Sequence, residues 1–332
     1  MIRHAQLASL WLSLLLLTGC WHLGMSSRPF PHPPLPEALA AEVAEPNPGG
    51  FRARELSLET NRSFTLRRLE LTMPSRPAGS NQVIGLDCYL PKRTNAPLPV
   101  VMVLAISGGD YELERHAARY FARKGFAAIL VRRPESDALF TNGTQINGLL
   151  KRSVQNDQRV VDWIETRPEF DAQRIGVFAV SLGAIQGMMF VTSDRRVRAA
   201  ALGMLGGDVA DILAHTREKS YVKRRADMMR AENLTLAEWQ RRFADAITCD
   251  PVRFAPYTER EKVMLVFAVF DQVVPFRNGW ELRQAMGKPE TLLVTAGHFT
   301  AVLYLPYIEG RALEFYRRRF KRGWRNHSPI RS

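Results

Sequence analysis

The stretch VFAVSLGAI, residues 177–185, joins an apolar, strand-like run to a run of small residues typical of a helix. Ser181 stands at the junction, with Gly183 two positions after it and Ala179 two positions before it. A serine at such a junction either acts as a nucleophile on a strained turn or merely ends a strand. The residues that surround it in the fold decide between these two interpretations.

Apolar runs lie on both sides of this stretch and alternate with helical patterns. The predicted strands are 65–73, 82–90, 97–106, 126–131, 174–180, 197–205, 262–270 and 290–295. Helices are predicted over 112–124, around 154–165, from Leu182 onward, and after the last strand, where Pro306 is expected to interrupt the helix. Near-continuous apolar strands that alternate with helices predict an α/β fold with a mostly parallel, doubly wound sheet.

The alternation lapses once, over residues 208–260, where the chain is polar, basic and helical. A capping box, Thr235 with Glu238, predicts the start of one helix there. One face of that helix is apolar and carries Leu236, Trp239, Phe243 and Ile247. A helical insert beside the carboxyl ends of a sheet is expected to form a lid.

Small and polar residues follow several predicted strands, at the sheet edge where open parallel sheets bind ligands. A serine nucleophile needs a base to take its proton, and of the seven histidines only His298 directly follows the final strand. Asp271 is the favoured carboxylate to orient that histidine. Asp208 is a rival, because it also follows a strand, although it suits the start of the insert as a helix cap.

The junction at Ser181 resembles the G-x-S-x-G nucleophile elbow of the α/β-hydrolase superfamily. Ala179 stands where that motif has glycine, which is the mildest departure from it. The order Ser181, Asp271, His298 is also the order of that superfamily. The run DWIETRPEFDAQRIGVFAVSLGA (162–184), with FDQVVP and GHFT further on, resembles dienelactone hydrolases, acetyl xylan esterases and prolyl oligopeptidases, and the likeness covers most of 64–320.

The resemblance implies a serine hydrolase that works through an acyl-enzyme, and a carboxylic-ester hydrolase is the leading interpretation. Ser181 attacks the carbonyl, His298 transfers the proton and Asp271 orients the histidine. The oxyanion hole is implied to use the N–H of Leu182 and that of Gly108 or Gly109. No metal or organic cofactor is required.

Two alternatives stay open at this stage. A serine peptidase or amidase of the prolyl-oligopeptidase type uses the same residues, and an inactive hydrolase-fold lipoprotein would act as a binding module. The predicted substrate is a small-molecule or polymer-linked ester of undetermined identity. The basic triplet 223–225 in the insert suggests esters that carry a negative charge.

At the N-terminus, Arg3 precedes a short apolar run over 7–17, which leads into LTGC ending at Cys20. This arrangement resembles the signal peptide of bacterial lipoproteins. In lipoproteins the chain is cut before this cysteine, which then carries the lipid. The alternative interpretation is an ordinary signal peptide in which the cysteine occurs by chance. Trp21, where Asp would indicate inner-membrane retention, favours the outer membrane of a Gram-negative envelope. The predicted organisation is a signal peptide (1–19), Cys20 with a proline-rich tether (20–50), a hydrolase domain (51–325) and a basic tail (326–332).

The formal net charge is +13. No zinc finger, RNA-binding signature or basic-aromatic repeat accompanies the charge, so nucleic acid is not a predicted partner and we interpret the charge as surface electrostatics. The predicted membrane contact is instead the lipid anchor. Cys88 and Cys249 are the other two cysteines, and the sequence leaves open whether they pair. It also leaves the oligomeric state undetermined.

Overall fold

The apolar runs of the sequence form the strands of one sheet. The protein is represented by a computed structural model, which describes residues 22–26, 32–44, 50–74, 81–92, 97–108, 110–133 and 142–325. Over these residues the strands are β1 (His22–Met25), β2 (Arg52–Thr60), β3 (Phe64–Pro74), β4 (Asn81–Pro91), β5 (Leu98–Leu104), β6 (Ala127–Val131), β7 (Phe170–Val180), β8 (Val197–Gly203), β9 (Val263–Ala268) and β10 (Glu290–Val294).

Helices connect most of these strands. They are α1 (Glu37–Val43), α2 (Glu112–Arg123), α3 (Gly143–Glu165), α4 (Leu182–Ser193), α5 (Val209–His215), α6 (Lys219–Ala231), α7 (Leu236–Ala246), α8 (Pro251–Phe254), α9 (Phe276–Ala285) and α10 (Leu305–Arg325). Short 3-10 turns cover Ala255–Tyr257, Arg260–Lys262 and Thr300–Tyr304.

The sheet has the strand order β1-β10-β9-β8-β7-β5-β6-β4-β3-β2. Strands β5 to β10 run parallel to one another, whereas β2, β3 and β4 are antiparallel. Every residue of β6 and β9 is buried, as expected of parallel strands that helices cover on both faces. The predicted α/β fold with a mostly parallel sheet is therefore confirmed.

Two hydrophobic cores lie on the two faces of the sheet. Alternate residues of β5 supply them, because successive side chains of a strand point to opposite faces. Val100 and Met102 belong to the core that includes residues of α3 and α4. Val101 and Val103 belong to the core that includes residues of α2 and α10. The sheet is thus held between two helical layers, and its carboxyl edge is left to the loops.

Two helices differ from their predicted extents. α3 begins at Gly143 rather than near residue 154, because Asn142 caps it and Ile146, Leu149 and Leu150 bury an apolar stripe among polar neighbours. α10 begins at Leu305, so Pro306 lies in its first turn and does not interrupt it. Proline is tolerated there because the first N–H groups of a helix have no partner within the helix.

The proline-rich segment is more ordered than predicted. β1 pairs with β10, and α1 buries Leu39 and Val43 against the core. The prolines permit this because Pro36 only flanks α1, whose own sequence, EALAAEV, contains none. The expected tether over 20–50 therefore contributes two elements to the fold. The predicted signal peptide, Cys20 and the basic tail lie outside the described residues.

No helix among the described residues is both long enough and apolar enough to cross a membrane. Cys88 and Cys249 are both buried and carry free thiols. Burial raises the pKa of both thiols, to about 11 in Cys249. Neither cysteine therefore has the lowered pKa and the exposure of a reactive thiolate.

Candidate active site

Ser181 occupies a strained turn between β7 and α4. Its backbone angles are φ 55° and ψ −128°, and a positive φ is unfavourable for a residue with a side chain. Its N–H donates to the carbonyl oxygen of Gly203 at 2.9 Å, while its own carbonyl oxygen accepts the N–H groups of Ala184 and Ile185. The turn is therefore held by the neighbouring strand on one side and by the first turn of α4 on the other.

The small neighbours of Ser181 are explained by close packing of α4 on β5. A Cβ on Gly183 would lie 2.8 Å from the carbonyl oxygens of both Leu104 and Ala105, a distance that backbone atoms do not tolerate. Ala179 is buried, and Gly187 faces it, since a Cβ built on Gly187 would lie 3.6 Å from the methyl group of Ala179. The glycine after the serine is thus required, whereas the alanine before it is accommodated.

Ser181, His298 and Asp271 form one hydrogen-bonded chain. His298 Nε2 lies 3.1 Å from Ser181 Oγ, and His298 Nδ1 lies 2.7 Å from Asp271 Oδ2. A carboxylate beside Nδ1 favours the tautomer that carries its proton there, so Nε2 is free to accept the serine O–H. The side chains of His298 and Asp271 are only 10% and 3% exposed, which strengthens their interaction by excluding water.

Backbone amides hold the Asp271 carboxylate in position. Its second oxygen, Oδ1, accepts the N–H groups of Val273 and Val274 at 2.9 and 3.0 Å. The rival carboxylate has a different use, because Asp208 Oδ1 accepts the N–H of Asp211 and caps α5. The structure therefore brings Asp271, not Asp208, to the histidine.

Two of the three residues predicted for the oxyanion hole, Leu182 and Gly108, lie at the same edge. Leu182 is the first residue of α4, where N–H groups have no carbonyl partner within the helix. Gly108 has φ 70°, a conformation that suits glycine, and it lines the same cavity as Ser181, Leu182 and His298. Gly109 lies outside the described residues.

A buried polar network holds the start of the Gly108 loop. Arg133 donates to the carbonyl oxygens of Ala105 and Ile106 at 2.8 and 2.7 Å, and the N–H of Ile106 donates to Glu114 at 2.7 Å. Arg133 also donates to Gln186. Side chains thus hold two carbonyl groups and one amide at the start of the loop.

The network continues to a buried carboxyl group. Gln186 donates to Asp157 Oδ2 at 3.1 Å, and burial raises the pKa of Asp157 to about 8. Burial also raises the pKa of Glu114. Sequence reasoning missed this network, although one signal was present: Gln186 is the single polar residue in the run LGAIQGMMFV that follows the serine.

A cavity of about 540 Å³ opens beside Ser181 and His298. Its walls are mainly apolar, and the insert supplies one of them through Val209, Ile212 and Leu213. Tyr221 of α6 also lines it, and its hydroxyl lies 3.2 Å from the Ser107 hydroxyl of the Gly108 loop. The insert therefore covers part of the site and touches the loop across from it.

The insert packs largely as its sequence predicts. The capping box of Thr235 and Glu238 is present, and the rings of Trp239 and Phe243 stack with centroids 3.9 Å apart. Trp239, Phe243 and Ile247 are buried, whereas Leu236 on the predicted apolar face is exposed. These contacts anchor α7 on the core, so that α5 and α6 form the part of the insert nearest the cavity.

Several solved structures share this architecture. An acetyl xylan esterase from a Paenibacillus species is 18% identical, with a TM-score of 0.58 over 82% of this chain and 91% of that one. Acetyl xylan esterase 1 from a Thermoanaerobacterium species is 16% identical, with a TM-score of 0.62 over 83% and 94%. An acylaminoacyl peptidase from Pyrococcus horikoshii is 13% identical, with a TM-score of 0.57 over 78% of this chain and 42% of that one.

These similarities identify the fold of the chain as the α/β-hydrolase fold. At such identities they concern the architecture alone, because one fold supports many activities. No protein-family model matches the sequence, and no curated protein sequence matches it.

Proposed function

We propose that this protein is a serine hydrolase that cleaves carboxylic esters through an acyl-enzyme. The observation that carries the proposal is the hydrogen-bonded chain from Asp271 through His298 to Ser181, which ends at an apolar cavity. A nucleophile within hydrogen-bond reach of a base, which a third group orients in turn, is the arrangement that covalent catalysis requires. A serine that merely ended a strand would need neither partner.

The geometry supports a two-step reaction. Ser181 Oγ bonds to the ester carbonyl carbon while its proton passes to His298 Nε2, and the carbonyl oxygen becomes an oxyanion. The bond to the alcohol oxygen then breaks, and His298 returns the proton to that oxygen. Water attacks the acyl-enzyme by the same route and releases the acid. Asp271 keeps the imidazole in the required tautomer and stabilises its charged form.

Backbone N–H groups stabilise the oxyanion in this mechanism. Leu182 provides one donor from the start of α4, and Gly108 or Gly109 provides the second. Arg133 links these two segments, because it donates both to carbonyl oxygens at the start of the Gly108 loop and to Gln186 of α4. Loss of one such donor typically lowers kcat by about 10²–10³.

The cavity favours an ester with an apolar acyl group. Its volume of about 540 Å³ lies within the range of pockets that enclose a whole small ligand, about 300–1,000 Å³. An acetyl group would leave most of the apolar wall in contact with water. We therefore propose an aliphatic acyl chain as the part of the substrate that the cavity holds, with α5 and α6 acting as a lid over it.

Labelling with a fluorophosphonate probe tests the mechanism. The intact protein is expected to be labelled, and the Ser181→Ala variant is expected to lose the label. Asp208→Asn serves as a control that removes a carboxylate at the same edge without touching the chain of hydrogen bonds. Equal labelling of the intact protein and Ser181→Ala would show that Ser181 is not the nucleophile.

Turnover of matched substrates separates esters from amides. We expect p-nitrophenyl esters to be cleaved, with kcat/KM rising as the acyl chain lengthens from acetyl, because a longer chain buries more apolar surface. Cleavage of aminoacyl anilides with no ester turnover would instead establish a peptidase or amidase. Anilides are included because the fold is similar to that of an acylaminoacyl peptidase.

We also propose that the chain is exported and anchored to the cell envelope through lipid on Cys20. The LTGC sequence after a short apolar run supports this proposal. Several acyl chains on one cysteine give a stable anchor, where a single chain is marginal.

A further inference from the structure

Four apolar side chains stand exposed beside the mouth of the cavity. Phe270, Phe299, Val302 and Leu303, here called the collar, are 67%, 71%, 54% and 78% exposed. Two of them, Phe299 and Val302, also line the cavity. The apolar surface of the cavity therefore continues outward onto the surface of the protein.

The collar is one patch built from two adjoining loops. The N–H of Phe270 donates to the carbonyl oxygen of Ala296 at 2.9 Å, which ties the turn after β9 to the segment after β10. The 3-10 turn Thr300–Tyr304 then carries Val302 and Leu303. Because both loops leave the carboxyl ends of neighbouring parallel strands, the collar lies at the same edge as His298.

The N-terminal part of the described chain enters the fold at this edge. β1 is antiparallel to β10, with His22 opposite Val294 at its carboxyl end and Met25 opposite Thr291. The ring of His22 lies 4.3 Å from that of Tyr307, near the start of α10. Cys20 precedes His22 by two positions in the sequence, so a lipid on Cys20 would be attached on the side of the collar.

Because the collar continues into the cavity, its partner must cover the exposed side chains without closing the mouth of the cavity. A second copy of the chain or another protein packed over it would close the mouth through which substrate enters. A lipid surface covers the exposed side chains and leaves the cavity open to apolar molecules in that phase.

We propose that the collar docks into a lipid surface and holds the mouth of the cavity against it. The docking itself follows from the exposed side chains and the position of β1. Its consequence for catalysis rests on the proposed ester hydrolysis: the substrate would be an ester with an aliphatic chain, taken from the lipid phase rather than from water.

A fluorescent label at the collar tests the docking directly. The full chain with Leu303→Cys is labelled with an environment-sensitive fluorophore and mixed with phosphatidylethanolamine–phosphatidylglycerol vesicles that carry a lipid-bound quencher. Leu58→Cys is the matched control, because Leu58 is also well exposed but lies on β2, at the opposite end of the sheet. Both proteins carry the same N-terminal segment, and protein without an added cysteine is the blank.

The Leu303 label is expected to shift to shorter wavelength and to be quenched severalfold more than the Leu58 label. Equal quenching of both labels, or none of either, would overturn the proposal. So would a Leu303 label that is shielded before vesicles are added, since that result would assign the collar to an interface between copies of the chain.

Kinetics separate this proposal from the proposed function. Leu303→Ser is expected to lower severalfold the hydrolysis of a long-chain ester dispersed in vesicles and to leave hydrolysis of a soluble short-chain ester unchanged, whereas Leu58→Ser changes neither. Equal loss on both substrates would overturn the docking. If the parent protein hydrolyses no ester, the proposed function fails, while the fluorescence result still decides the docking.

Discussion

At the scale of single residues, the turn around Ser181 requires glycine at position 183 but accepts alanine at position 179. Gly183→Ala places a methyl group 2.8 Å from two backbone oxygens, so the strand and helix must separate. We expect this variant to lose about 10² in kcat, since a displacement of about 1 Å can have that effect. Ala179→Gly restores the usual motif and is expected to keep parental activity. Ester turnover of the two variants checks the prediction, and equal activities would contradict it.

Arg133 is a positioning residue in the same region. Its guanidinium group donates to two carbonyl oxygens of the Gly108 loop, so Arg133→Met is expected to lower kcat by about tenfold to a hundredfold, with little change in KM. Arg132→Met is the matched control, because Arg132 lies beside Asp87 instead. A purely structural role would show as a loss of stability with kcat per folded molecule unchanged.

At the scale of elements, one residue of the basic triplet 223–225 on α6 lies at the cavity. Arg224 lines the cavity, whereas Lys223 and Arg225 do not. We expect Arg224→Gln to raise KM about tenfold for esters that carry a carboxylate, since a charge-assisted hydrogen bond contributes about 1.5–3 kcal/mol. Lys223→Gln is expected to leave KM unchanged, and neutral esters serve as the reference. Equal effects on charged and neutral esters would dispose of the charge interpretation.

The contact between α3 and α4 is expected to make the stability of the fold depend on pH. Asp157 of α3 bonds to Gln186 of α4, and its pKa is raised by burial from 3.8 to about 8. A raised folded-state pKa gives stability that is fully present below the unfolded value of 3.8 and is lost as pH rises towards about 8. Asp157→Asn stays neutral at all pH, so its Tm relative to the parent is expected to rise across this window. Thermal unfolding at several pH values measures this, and parallel curves would show that Asp157 is ionised in the fold.

At the scale of the whole molecule, the anchor and the catalytic domain make separate predictions. Cys20→Ser is expected to move the protein from the membrane fraction to the soluble fraction, with loss of the added acyl mass, because Cys20 is the proposed site of lipid attachment. Cys249→Ser is the control, since Cys249 is buried within the fold. Fractionation and intact mass measure both variants, and a parent protein that carries no acyl mass on Cys20 would exclude the lipid anchor.

Local patterns in the sequence determined the succession of strands and helices, because apolar periodicity and helix-capping residues act within a few positions of each other. They also determined which residues stand at strand ends, including Ser181, Asp271 and His298. The early start of α3 escaped these patterns because polar residues separate its apolar positions. The elements β1 and α1 escaped them because the neighbouring prolines predicted an irregular chain.

Only the tertiary structure decided between Asp271 and Asp208, because both follow strands, whereas in the fold Asp271 contacts His298 and Asp208 caps α5. The Arg133 network and the collar were likewise decided in three dimensions. Their members lie far apart in the chain, and no local pattern relates a residue to a partner that the sheet brings beside it. The sequence by itself therefore determined the fold class and the candidate nucleophile, while the packing of strand ends decided what surrounds that nucleophile and which side of the molecule its cavity faces.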